Sequence, residues 1–280
     1  MNNIRPSIGV MSELVPDAAT IDIAAEYGFT STQVVSWNLE LATLDIARTL
    51  KKRAADNGVR LTAIWGGCTG PQEWNFTKGP VTLGLVPSAY RAMRVLELKK
   101  WADFAVEAGA PAVITHCGFL PENMTDPSFE EVLVAIQDVA GYCKKLGIEF
   151  WFETGQETPV TLLRFIEATG LDNLGINLDP GNLLMYGKGN PLDSLRVFGK
   201  YVKALHTKDA FPPSNGNDLG PAVLVGTGCV DYPRFIPALL DLGFAGDLTI
   251  EREITGEQQI KDILYTKDYL NKLLDEYFSK

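Results

Sequence analysis

With 280 residues, 46% hydrophobic and 21% charged, the chain has the composition of an ordinary globular protein that can bury a large core without staples. A formal net charge of −10 with no Lys/Arg cluster argues against nucleic acid as the main partner. It also disfavours a highly anionic substrate unless a metal offsets the charge. No apolar run approaches the ~18 residues of a membrane span, so no membrane partner is expected.

Short apolar runs alternate with amphipathic segments along the whole chain, without a linker or a break in composition. The first predicted strand is Ser7 to Met11, and Pro16-Asp17 opens a helix to about Tyr27. The second strand, Thr32 to Ser36, precedes a helix from about Leu41 to Asn57. The third, Arg60 to Trp65, precedes a long helix from about Pro87 to Ala108. The fourth, Ala112 to His116, precedes a helix from about Ser128 to Lys145. The fifth ends at Glu153 and feeds Pro159 to Ala168. The sixth ends at Asp179 and feeds a short helix near Pro191 to Phe198. The seventh ends at His206, with a helix near Tyr232 to Leu242. The eighth ends at Glu251, and Glu257 to Phe278 closes the chain.

Strict strand–helix alternation implies α/β architecture with a parallel sheet, and eight units close a (β/α)8 TIM barrel, a single domain over residues 1–280. Gly28, Gly58, Gly109, Gly147, Gly170 and Gly243 each fall just before a strand, where a helix-ending glycine belongs. A doubly wound open sheet is the runner-up. It is disfavoured because Met11-Ser-Glu-Leu-Val-Pro16, after the first strand, contains no glycine to cradle a dinucleotide. Three loops are long for their position: Gly66 to about Val86, Cys117 to about Pro127, and Thr207 to about Asp231. All lie on the C-terminal rim, where barrels place their chemistry, and two carry the aromatics Trp74, Phe76 and Phe211.

The last four strands each end on a residue able to bind a metal: Glu153, Asp179, His206 and Glu251. As parallel neighbours in one barrel they converge on one rim. Carboxylate oxygens and an imidazole suit Mn²⁺, Mg²⁺, Co²⁺ or Fe²⁺, with Zn²⁺ a further possibility. Without a cation, so many carboxylates would repel one another and raise their pKa values. The plain alternative is that each residue merely ends its strand, Asp179 as a turn or cap residue before Pro180-Gly181.

The stretch from Glu153 to Glu251 resembles the xylose isomerase-like TIM barrel superfamily of sugar phosphate isomerases and epimerases, related to ketose 3-epimerases and inositol-catabolism isomerases. The likeness rests on Phe152-Glu-Thr154, Asn177-Leu-Asp-Pro-Gly-Asn182, Leu205-His-Thr-Lys-Asp209, Gly226-Thr-Gly-Cys-Val-Asp-Tyr-Pro233 and Leu248-Thr-Ile-Glu251. The resemblance implies that Glu153, Asp179, His206 and Glu251 ligate the metal, Mn²⁺ before the other cations, and that Glu153 and Glu251 also carry the proton. The implied reaction is isomerisation or epimerisation of a sugar, sugar phosphate or keto-sugar through an enediolate beside a carbonyl. Barrels of this group often pair, so a homodimer or homotetramer is expected. Ketose 3-epimerases usually carry a His three residues after the metal Asp and an Arg several residues after the metal His. Here Asn182 takes the first place and no Arg appears before Arg234. A lyase or dehydratase acting on a keto-sugar, keto-glycoside or cyclitol therefore stays open, as does a non-catalytic sugar-binding barrel. Endonuclease IV resembles the same barrel, but its several metals need many His, and this chain has two.

Other rim residues have two readings each. Asn182 can donate to a substrate hydroxyl but cannot shuttle protons. His116 can bind substrate oxygens or move protons, or be a satisfied rim histidine. Lys208 can hold an anionic or enolate oxygen, or pair with Asp209. Glu157 can support Glu153 or simply favour a helix N-terminus. Trp37 and Trp65 can stack on a sugar or pack the rim. Gly226-Thr-Gly228 is weak evidence for phosphate and better read as a turn. Cys68, Cys117, Cys143 and Cys229 form no Cys-x-x-Cys pair and are expected as free thiols. With no signal peptide in Met1-Asn-Asn-Ile-Arg-Pro6, a cytoplasmic location is expected.

Overall fold

Eight of the strands close on themselves. The computed structural model describes residues 4–279, so the expectations for residues 1–3 and 280 lie outside them. In chain order the strands are β1 (Ile8–Glu13), β2 (Ser31–Ser36), β3 (Arg60–Gly66), β4 (Ala112–Thr115), β5 (Glu149–Glu153), β6 (Leu174–Leu178), β7 (Val202–Thr207), β8 (Asp209–Ala210), β9 (Ala222–Val223) and β10 (Leu248–Ile250). The barrel runs β1-β10-β7-β6-β5-β4-β3-β2 and back to β1, every pair parallel. The helices are α1 (Thr20–Glu26), α2 (Leu44–Asp56), α3 (Gly79–Thr82), α4 (Ser88–Ala108), α5 (Pro127–Lys145), α6 (Pro159–Thr169), α7 (Pro180–Met185), α8 (Pro191–Phe198), α9 (Tyr232–Asp241) and α10 (Glu257–Phe278). This is a single-domain (β/α)8 TIM barrel, as its alternation predicts.

Both faces of each strand are covered, which is why the runs are apolar on both parities. Outward residues such as Ile64, Val113, Phe150, Phe152, Ile176 and Leu205 join the helices in the main core. Alternate residues face inward, and Ala63, Trp65, Ala112, Ile114, Trp151 and Ala204 form a separate small apolar cluster. At the N-terminal end, Asp247 accepts a forked pair from Arg60, at 2.7 and 3.0 Å, and a third bond from Ser31 Oγ at 3.0 Å.

The six glycines expected to stop helices all adopt positive φ, from 66° to 85°. Four details depart from the sequence reading. Helix α1 starts at Thr20 rather than Pro16, because Ala18 is left-handed at φ 56° and turns the chain first. A 3-10 turn at Leu39–Leu41 precedes α2, which Thr43 caps by accepting from Ile46 N at 3.3 Å. The short helix α7 occupies the Asp-Pro-Gly-Asn segment, and β8 and β9 pair as a small antiparallel hairpin in the loop after β7. No described helix is long and apolar enough to cross a membrane. The four cysteines are free.

Candidate metal centre

Period-two alternation decides what enters the barrel. On β5, Trp151 and Glu153 share the inward parity. The same parity carries Asn177 to Asp179 on and after β6, Ala204 to His206 on β7, and Thr249 to Glu251 on and after β10. The structure brings all four strand-end residues together, their ligand atoms within 4.8 Å of one another. Glu153, Asp179 and His206 are buried, and Glu251 is half-buried.

His206 Nδ1 sits at the middle of the group. It lies 3.1 Å from Glu153 Oε1, 3.0 Å from Glu251 Oε2 and 3.9 Å from Asp179 Oδ2. The other ring nitrogen, Nε2, is 2.7 Å from Gln33 Oε1 on β2, and Gln33 Nε2 donates to Asn177 Oδ1 at 3.0 Å. With that amide orientation Gln33 Oε1 can only accept, so Nε2 carries the proton and Nδ1 turns its lone pair toward three carboxylates. Asp179 Oδ2 and Glu251 Oε2 are buried without any hydrogen-bond partner. A lone pair and two orphaned anionic oxygens aimed at one point are stable around a cation.

Without a cation, protons must substitute. Burial opposes charge on His206, but Glu153 and Glu251 raise it well above the ordinary range. Burial pushes Asp179 far up, helped by Glu251 and Glu153 and only partly offset by Lys208. Burial would also raise Glu251 and Glu153. Instead Lys208 and His206 hold Glu251 below its usual range, and His116 and His206 in their charged forms do the same for Glu153. The side chains thus fit a divalent ion: three carboxylates against the Lys208 ammonium leave a net charge of −2 around a neutral His206.

Asp179 has a second task. Its Oδ1 accepts from Asn182 N at 2.8 Å and caps α7, so the cap reading and the cluster reading both hold, one oxygen each. Helix α7 then brings Asn182 over the site, where its Nδ2 donates to Glu153 Oε1 at 3.2 Å. Trp65 Nε1 donates to the other oxygen, Glu153 Oε2. His116 Nε2 lies 3.5 Å from Glu153, and its Nδ1 has no partner. Burial lowers the His116 pKa, so the ring is neutral at neutral pH.

Lys208 shares the inward parity of His206. Its Nζ lies 2.9 Å from Glu253, 3.6 Å from Glu251 and 3.7 Å from Asp179. Burial opposes its charge, but Glu251, Asp179 and Glu253 raise its pKa well above normal and keep it an ammonium. It does not pair with Asp209, which points the other way. The Asp209 carboxylate accepts from Gly226 N, Gly228 N and Val230 N at 2.9 to 3.0 Å. The Gly226-Thr-Gly228 turn is therefore closed by this chain's own carboxylate rather than open to phosphate.

Above the cluster opens a cavity of about 550 Å³. Of the residues named from sequence, Trp37, Trp65, His116, Glu153, Asn182, Lys208 and Glu251 line it, while Asp179 and His206 are fully buried and do not. Glu157 does not line it. It is buried behind the rim, where burial raises its pKa to about 8 and Oε1 has no partner. Sequence reasoning missed Gln33, Glu13, Tyr186, Arg252 and Glu253, and saw Trp74 only as a loop aromatic. Parity would have found several: Glu13 lies two residues beyond Met11, and Glu253 two beyond Glu251.

The family model described as xylose isomerase-like TIM barrel matches residues 21–271. A solved xylose isomerase domain protein from Planctomyces limnophilus is 34% identical, with 99% of this chain and 100% of that one covered and a TM-score of 0.93. A solved L-ribulose 3-epimerase is 19% identical over 97% of this chain and 95% of its own, with a TM-score of 0.72, a likeness that shows the fold alone. Among curated sequences, the inosose dehydratase of Geobacillus kaustophilus (strain HTA426) is 24% identical over 148 residues, 47% of this chain. That match spans about half of the relative's length, 48%.

Proposed function

The chain belongs to the xylose isomerase-like TIM barrel family, and from that premise we propose that it is a divalent-metal-dependent sugar isomerase or epimerase. The observation that carries the proposal is the convergence of Glu153, Asp179, His206 and Glu251 with two orphaned carboxylate oxygens. These four residues would hold the ion. When bound, the ion supplies Lewis-acid polarisation of a substrate carbonyl, which acidifies the neighbouring C–H.

The chain's own groups do the rest. Glu153 and Glu251 come from β5 and the end of β10, flanking β6 and β7 in the barrel wall. Each can take a proton from the α-carbon or return one, and a pair on two flanks suits inversion at that carbon. The indole of Trp65 and the amide of Asn182 fix the Glu153 carboxylate, so it presents one orientation to the substrate. Lys208, held charged by three carboxylates, offers a donor to oxygen that gains negative charge. His116 and Asn182 offer neutral hydrogen bonds to hydroxyls.

Metal-supplemented protein incubated in deuterium oxide with a panel of free ketoses and aldoses tests the proposal. Label at the carbon beside the carbonyl is expected, and absence of label on every sugar would overturn it. A lyase on a keto-sugar or cyclitol is the second reading. It is favoured by Asn182 standing where a proton-carrying His would serve an epimerase, and by the match to an inosose dehydratase. Loss of water or of an aglycone in the same assay selects it.

Gln33 provides a separate check on the ion site. Because it fixes the tautomer of His206, Gln33→Met is expected to weaken Mn²⁺ binding by about 10–100-fold in calorimetric titration, and a change under ~2-fold would refute that role.

A further inference from the structure

The cavity is larger than one sugar needs, and its excess is aromatic. A monosaccharide of twelve heavy atoms packs more densely than the ~30 Å³ that liquid water gives each oxygen, so it fills well under ~360 Å³. At about 550 Å³ the cavity holds such a ring with a third or more of its space left. Three of the chain's five tryptophans line that space. Trp65 is buried against Glu153, at the depth of the acidic cluster. Trp37 lies one step outward, its ring 4.6 Å from Trp65, and Trp74 stands 5.8 Å from Trp37 and 5.4 Å from His116.

The outer two indoles are exposed yet held. Trp37 is 46% and Trp74 39% accessible. Gly67 lets Trp37 lie flat on the backbone, since a Cβ there would fall 2.6 Å from Trp37 Cε3. Large apolar rings kept in water at a cleft mouth, rather than folded into the core, mark a binding surface. Indole faces suit the C–H face of a sugar ring or an aryl ring.

The charges in the cleft point to a neutral ligand. Glu13, Glu153, Glu251 and Glu253 line it against two cations, Lys208 and Arg252. Both cations are engaged: Lys208 with Glu253 at 2.9 Å, and Arg252 with Asp262 at 2.7 Å. Among the described lining residues none is a free cation for a phosphate.

We propose that the cleft takes a neutral glycoside, whose reacting sugar carries the carbonyl and sits on the acidic cluster and whose second ring stacks on Trp37 and Trp74. The choice of reacting sugar rests on the proton-transfer function proposed above; the second-ring subsite does not. Calorimetry on Mn²⁺-loaded protein tests it, with glucose, fructose, their 6-phosphates, glucosyl disaccharides and phenyl glucosides as probes. Disaccharides or phenyl glucosides are expected to bind about tenfold or more tighter than the monosaccharides, and the phosphates weakest. Which of the two binds better identifies the second ring as sugar or aryl.

Trp37→Ala with Trp74→Ala is expected to bring the glycoside-to-monosaccharide ratio down to about 2 or less, while Trp74→Phe retains most of it. Monosaccharides binding as tightly as glycosides, phosphates binding tightest, or a ratio that survives the double substitution would each overturn the proposal. Solvent-deuterium uptake on the probes with a free carbonyl (glucose, fructose, their 6-phosphates and reducing glucosyl disaccharides) keeps the two proposals apart, the phenyl glucosides serving as binding probes only. A tryptophan-dependent preference without label removes the proton-transfer function and leaves the subsite standing. Label with no preference does the reverse.

Discussion

Glu251→Gln is expected to lower solvent-deuterium incorporation by about 10²–10⁴-fold at saturating Mn²⁺. The substitution keeps the shape of the side chain and removes its charge and its basicity. Glu251 Oε2 is the oxygen that no hydrogen bond engages, 3.0 Å from His206 Nδ1 and 3.6 Å from Lys208 Nζ. Lys208 and His206 hold the carboxyl ionised, so it is ready to accept a proton across the neutral range. An amide in its place accepts none, and an NH₂ group at the Oε2 position would set a donor against the Lys208 ammonium. Ion affinity falls as well, which is why the rate is compared at saturating metal. Exchange retained within tenfold of the parent would show that Glu251 does not carry the proton. Glu153→Gln, whose carboxylate is held by Trp65 and Asn182, provides the companion measurement.

Arg94→Met is expected to cost about 3–5 kcal/mol of stability through carbonyls left without a donor, and to lower the melting temperature by on the order of 10 °C. Arg94, on α4, is fully buried, and among the described residues no carboxylate pairs with it. Its guanidinium instead donates to four backbone carbonyls: Thr69 at 3.3 Å, Pro71 at 3.0 Å, and Thr82 and Gly84 at 2.7 Å each. All four belong to the loop between β3 and α4, the loop that brings Trp74 to the cleft. Methionine fills much of the volume and leaves those carbonyls without a donor, each costing about 1–3 kcal/mol if it stays buried. The loop should therefore loosen before the barrel does. Limited proteolysis is expected to cut between residues 67 and 87 in the variant and not in the parent. A melting temperature within about 2 °C of the parent would refute the clamp.

The barrel was legible in the sequence because its signals are redundant. Each unit repeats an apolar run, an amphipathic helix and, at six places, a glycine that structure shows at positive φ. The four cluster residues were legible because each interrupts an apolar run at the same end. Gln33 was not, because it sits inside a strand between Thr32 and Val34 and looks like a tolerated polar residue rather than the partner of a histidine 173 positions away. Helix α7 was missed because six residues are too few for a periodic signal. Its cue was Asp179 followed by proline at the first helical position, which reads equally well as a turn. The direction of Lys208 depended on parity, which puts it with His206, while Asp209 turns outward to the Gly226 loop.

Asp179 divides its two oxygens between a helix and an ion site, and that division couples the two. Oδ1 holds the first turn of α7, while Oδ2 has no hydrogen-bond partner and would be the oxygen offered to an ion. The helix so anchored is six residues long and carries Asn182, Met185 and, at its end, Tyr186 into the cavity wall. A displacement at Oδ2 would thus be passed to the cavity wall through that one short helix. Thermodynamic reciprocity would then apply: whatever factor an ion adds to the affinity of a cavity ligand by setting α7, that ligand must add to ion affinity. The barrel floor and the cavity wall are two readouts of a single carboxylate.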